Sequence, residues 1–188
     1  MKIVCFILLV SFSVQGFGRS LRIDKKKCTV SFLAQGRPSA IKIEGEGAHC
    51  EGEFFVDADQ ESLGRITIDL SDFTTGMGLR DRHMHEKYLE TKKEAFKKAT
   101  LTFSDIKKFR QEMEDGTFKG TLNAQLSLHG VTREVPVNLD FAAQESKSKG
   151  HFKFQLKISD YGIEIPSFME ITMADVVDVS GEVEAAIH

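Results

Sequence analysis

Residues 118–141, FKGTLNAQLSLHGVTREVPVNLDF, decide the fold. Phe118, Gly120, Leu122, Ala124, Leu126 and Leu128 alternate with Lys119, Thr121, Asn123, Gln125 and Ser127. Successive strand residues point to opposite faces, so a period of two describes a strand with one dry and one wet side. Val135, Val137, Leu139 and Phe141 repeat the pattern beyond a turn signal at Gly130, Val131 and Thr132. A parallel crossover needs about a dozen residues or more, so a connection this short makes the pair antiparallel.

The same period continues in both directions. Downstream it runs through Phe152, Phe154, Leu156 and Ile158, then Ile171, Met173, Val177, Val179, Val183, Ala185 and Ile187, with Asp175 intruding. Upstream it runs through Leu101 and Phe103, through Ile66, Ile68 and Leu70, and through Phe54 and Val56. Residues 28–34 and 40–47 read as two further strands joined by a turn at 36–39. Turn signals also stand at 57–59, at Asp115 and Gly116, and at 146–150. The total is about eight antiparallel strands, each with one apolar face, and that pattern closes either as a sandwich or as a barrel. Leu79 to Leu89 departs from it and predicts one or two helical turns across one end. Arg82 with Glu86, and Asp81 with His85, would be partners there at i,i+4.

Composition narrows the classes. The chain has 188 residues, 41% hydrophobic and 28% charged, with 15 Gly and 3 Pro, which excludes disordered and collagen-like chains. A net charge of −3 gives no nucleic-acid footprint, because counterion release needs clustered positive charge. Fifteen Phe stand against two Tyr and no Trp, a choice that suits a dry interior.

The first eighteen residues read as a cleaved signal peptide: Lys2, an apolar run from Ile3 to Val14, then small residues at Gly16 and Gly18. The run is too short for a stable membrane span, which needs about 20 apolar residues. Residues 19–188 then form one domain, periplasmic or secreted. Export leaves Cys28 and Cys50 in an oxidising compartment. On the expected strands Cys28 opens the first and Cys50 follows the second, at one end of the hairpin. A disulfide and two separate buried thiols both remain open.

Catalytic motifs are scarce. No nucleophile elbow, phosphate loop or H-E-x-x-H is present. His83 and His85, two apart, point about 200° from each other on a helix and do not readily share a metal. No metal site and no cofactor is expected. His129, at a strand end before Gly130, reads as a turn cap.

Two strings are specific. Residues 69–90, DLSDFTTGMGLRDRHMHEKYLE, hold Thr75-Gly76 and then Arg80, Asp81, Arg82, His83 and Met84; residues 126–137, LSLHGVTREVPV, hold His129, Gly130, Val131, Thr132 and Arg133. Together they resemble the YceI-like family of exported, lipocalin-like, polyisoprenoid-binding proteins, over about residues 21–187. The family has an aromatic-Pro pair before the strand at Thr100; here Phe96 precedes Lys97.

The resemblance implies an up-and-down eight-stranded barrel and a non-enzymatic carrier of a long-chain amphiphile, such as a polyisoprenoid quinone or polyprenyl phosphate. It makes a lumen of the inward residues Ile68, Leu70, Leu101, Phe103, Phe118, Leu122, Leu126, Val137, Leu139, Phe141, Phe152, Phe154, Leu156 and Met173. Arg80, Asp81 and His83 would form its polar mouth. Two other readings stay open: an exported metal-assisted enzyme using His83, His85 and His129, and a ligand-free scaffold. A homodimer is compatible with the chain.

Overall fold

The computed structural model describes residues 19–37, 41–56, 64–104, 116–144, 147–168 and 171–187. The expected signal segment, residues 1–18, lies outside them. Nine strands are present among the described residues: β1 Arg19–Arg37, β2 Lys42–Val56, β3 Gly64–Asp69, β4 Lys98–Phe103, β5 Thr117–Leu128, β6 Val131–Gln144, β7 Lys147–Lys157, β8 Ser167–Phe168 and β9 Ile171–Ile187. A short helix, α1 Gly78–His83, lies between β3 and β4.

Every pairing is antiparallel and follows chain order from β1 to β7; then β7 pairs with β9, and β9 pairs with β1. Eight strands therefore close a barrel. The two-residue β8 folds back on β9 through Ser167–Thr172 and Phe168–Ile171. The period-two residues face inward as expected: Ile66, Ile68, Leu101, Phe103, Phe118, Leu122, Leu126, Val137, Phe152 and Phe154 are all buried.

Several local expectations are corrected. β1 and β2 are far longer than 28–34 and 40–47, so Cys28 and Cys50 lie within strands, not at strand ends. The exposed run Asp24 to Lys27 hid the first half of β1: it forms a bulge between Ile23 and Cys28, where Lys26 N donates to Asp24 Oδ1 at 2.9 Å. The Ser- and Lys-rich stretch at 146–150, expected as a turn, is corrected over its described residues, 147–150. From Lys147 it is strand, with Ser148 fully buried and Lys149 exposed. At Leu79–Leu89 the helical turns are present, but α1 runs into a wider turn in which Leu89 N bonds Met84 O. Asp81 and His85 then bond Thr75 and Phe73 rather than each other, and Glu86 bonds Lys92 rather than Arg82.

A recurring pair packs the wall. Phe32 lies opposite Gly45, Phe54 opposite Gly64, and Phe152 opposite Gly181. A Cβ on those glycines would meet the facing ring at 2.1, 2.1 and 2.2 Å. Each ring covers backbone that glycine leaves bare. The β5–β6 hairpin closes on His129 (φ 50°) and Gly130 (φ 79°), a two-residue turn with both central φ positive, whose twist matches that of the strands.

Candidate functional site: a cavity at one end of the barrel

The barrel is not uniform along its axis. At the end where β1 starts and β9 finishes, Phe54, Phe103, Phe118 and Phe152 fill the interior, with Phe54 and Phe103 rings 5.7 Å apart. At the other end two seams open in the wall. β2 pairs with β3 only over Cys50–Phe54, and beyond that Glu46 exchanges two 2.9 Å backbone bonds with Thr74 instead. β6 pairs with β7 only over Asn138–Gln144. Above that point Arg133 Nε donates to Asp160 O at 2.8 Å and His129 Nδ1 to Tyr161 O at 3.2 Å.

The spread strands enclose a cavity of about 470 Å³. Its wall is aliphatic and aromatic: Val30, Phe32 and Ile43 from β1 and β2, Leu126 and Leu128 from β5, Phe154 and Leu156 from β7, and Met173, Val177 and Val179 from β9. The segment between β3 and β4 lies over its end. There the wide turn bonds Leu89 N to Met84 O at 2.8 Å, a five-residue step that sets Leu89 beneath Met84; both line the cavity, as does Tyr88.

The polar residues of the lining are few: Thr75, Arg80, His83, Tyr88 and Ser167. Asp81 takes three hydrogen bonds: from Thr75 N at 2.7 Å, from Thr74 Oγ1 at 2.8 Å, and from the Thr75 hydroxyl. The Thr75 hydroxyl bond, ahead of burial, which acts the opposite way, and of the other two donors, holds the Asp81 carboxyl below the ordinary aspartate range. The Thr75 hydroxyl and carbonyl in turn accept from Arg80 Nε at 2.7 Å and Nη2 at 2.6 Å. A guanidinium has five N–H donors, so three remain after these two bonds. Arg80 and His83 line the cavity, and Asp81 does not: it fixes the loop that aims Arg80.

The expected lumen residues therefore divide. Ile68, Leu70, Leu126, Phe154, Leu156 and Met173 line the cavity. Leu101, Phe103, Phe118, Leu122, Val137, Leu139, Phe141 and Phe152 lie off it, toward the packed end. Residues missed at sequence level include Phe32, Ile43, Met84 and Tyr88. The apolar spacing within 79–89 was the available signal for the last two.

Cys28 and Cys50 meet across the β1–β2 pair as a disulfide, Cα atoms 5.0 Å apart, both buried. The three histidines do not converge. His85 Nε2 donates to Phe73 O at 2.8 Å, while His129 faces Tyr161 O and, at 3.1 Å, Glu90 Oε2. Phe96, where the aromatic-Pro pair is missing, lies against His129 with ring centroids 4.0 Å apart and the planes tilted by 35°. No group of three or more potential metal ligands occurs among the described residues.

The fold has known counterparts. A polyisoprenoid-binding domain from Saccharophagus degradans, implicated in plant cell wall breakdown, is 16% identical with a TM-score of 0.67, over 90% of this chain and 98% of that one. Burkholderia cenocepacia BcnA is 18% identical with a TM-score of 0.66, over 87% and 99%. The YceI protein of Campylobacter jejuni is 18% identical with a TM-score of 0.55, over 77% and 84%. Among curated proteins none matches the sequence. The family model for the YceI-like domain matches residues 21–185, the whole of the closed barrel save its terminal residues, and the chain belongs to that family.

Proposed function

We propose that the protein is exported and holds one chain-shaped amphiphile, a polyisoprenoid with a polar head, with the tail in the cavity and the head at Arg80 and His83. The observation that carries this reading is the contrast between a predominantly apolar wall and a rim with one oriented guanidinium. Apolar area leaving water contributes about 25 cal/mol per Å², so a tail binds without a specific polar contact. A guanidinium suits phosphate or carbonyl oxygen. The likeness to a domain described as polyisoprenoid-binding supports the ligand class. The Cys28–Cys50 bridge suits an oxidising compartment, as does the N-terminal Lys-plus-apolar segment.

The test is mass spectrometry of an organic extract from natively exported, never-unfolded protein. A stoichiometric isoprenoid lipid is expected, with the N-terminus of the mature protein near residue 19. An extract with no lipid, from protein that also fails to take up farnesol, would leave the barrel as a scaffold.

A further inference from the structure

Met77 and Leu79 are the most exposed large apolar side chains among the described residues, at 57% and 53%. Both stand on the rim of the cavity. Met77 lies between Gly76 and Gly78, where an added Cβ would meet nothing within 4 Å, so this loop stands clear of the body. In α1, Leu79, Arg82 and His83 are spaced i, i+3, i+4 and share a face. Exposed Lys42 sits between the cavity-lining Ile41 and Ile43.

Of the acids nearby, Asp81 accepts from Thr74 and Thr75, Glu86 pairs with Lys92 at 2.7 Å and Glu164 with Lys87 at 3.4 Å, while Glu44 and Glu46 are exposed on the strand that carries Lys42. Arg82 is exposed, and Glu86, which feels its charge, is the acid bonded to Lys92. The rim of a chain with net charge −3 thus offers exposed apolar tips beside the exposed cations Arg82 and Lys42.

We propose that this rim docks on the surface of a bilayer containing anionic lipid, with Met77 and Leu79 in the interface and Arg82 and Lys42 against the headgroups. Apolar tips beside basic residues are the chemistry of interfacial binding. The inference rests on the lipid-binding reading, because a water-insoluble chain has to reach the cavity through this rim.

The test is co-sedimentation of the full mature chain with phosphatidylcholine vesicles, with and without phosphatidylglycerol, beside native mass spectrometry of farnesol uptake from solution. Sedimentation is expected with the mixed vesicles and should weaken with added salt. Replacing Met77→Asp and Leu79→Asp together should weaken it at least tenfold (~1.4 kcal/mol). Met77→Ser with Leu79→Ser covers the case of poor folding and should act in the same direction. Arg82→Ala should weaken binding about fivefold, on phosphatidylglycerol vesicles alone, and leave farnesol uptake unchanged.

Wild-type protein that ignores both vesicle types would overturn the proposal, and so would a folded double variant that sediments as well as wild type. Equal loss on both vesicle types for Arg82→Ala would overturn the electrostatic half. Vesicle binding without farnesol uptake would support docking while removing the carrier reading.

Discussion

The two ends of this barrel use the same strands and the same inward parity, and they finish in opposite states. On β5, Phe118, Leu122 and Leu126 all point inward, yet Phe118 and Leu122 belong to the packed end and Leu126 lines the cavity. The difference is in the wall. Where β2 keeps β3 and β6 keeps β7, the barrel is narrow and phenylalanines fill it. Where those pairings lapse, the strands diverge and the side chains no longer meet. The lumen here opens where the ladder bonds are missing, and small residues such as Ala99, Ala174 and Val179 stand in its lining.

Truncation at each end should separate the two states most strongly. Phe103 is fully buried at the packed end, and Phe103→Ala should cost about 3–5 kcal/mol, the range for a large core deletion. Phe154, at 4% exposure, already has the cavity on one side, and Phe154→Ala should cost less, about 2–3 kcal/mol. It should also favour bulkier tails. Urea denaturation of both variants checks the first claim, and equal losses would break the distinction between a plug and a cavity.

The disulfide comes next in size. It joins Cys28 to Cys50 across a separation of 22 residues. Loop-closure entropy then gives about 3 kcal/mol on replacing both by serine. Melting with and without reductant should show the loss in wild type and none in the double variant. If the bridge forms, alkylation of unfolded, unreduced protein finds no free thiol among the mature residues.

Smaller again is the effect at the Phe–Gly pairs. Gly181→Ala would set a Cβ 2.2 Å from the Phe152 ring, and since Phe152 is itself buried the overlap should cost about 1–3 kcal/mol. Gly76→Ala, at the rim, meets nothing within 4 Å, and its cost should come from its φ of 75° alone.

These cases show what the sequence discloses. Parity makes the strands, their antiparallel order and their inward faces legible, because it is a local property of two neighbouring residues. Depth along the axis is not local: nothing in the alternation of Leu122 and Leu126 marks which one meets empty space. β7 was partly hidden for a compositional reason, since Ser148 and Gly150 are small inward residues on either side of exposed Lys149 and mimic a turn. The rim was legible in outline. Asp81 as a loop-holder follows from a short acid near two threonines, whereas the wide turn at Met84–Leu89 depends on a backbone bond that no side chain announces.

The smallest expected effect tests that rim. Asp81→Asn preserves shape but leaves one carbonyl oxygen where two carboxylate oxygens accept from Thr74 and Thr75, at a cost of about 1 kcal/mol at neutral pH. The folded-state pKa of Asp81 lies below its ordinary 3.8, so this group's contribution is complete above the ordinary value and is lost as pH falls through the lower, folded one. The stability difference between wild type and Asp81→Asn should therefore be flat from neutral pH down to about pH 5 and shrink only below about pH 4. Paired thermal melts across that range check it. Arg80 hangs on the same threonine, so the variant should also lose part of the preference for lipids with an anionic head while keeping affinity for plain hydrocarbon tails. Equal loss for both would mean that the Asp81–Thr75–Arg80 chain closes the barrel end and does not read the headgroup.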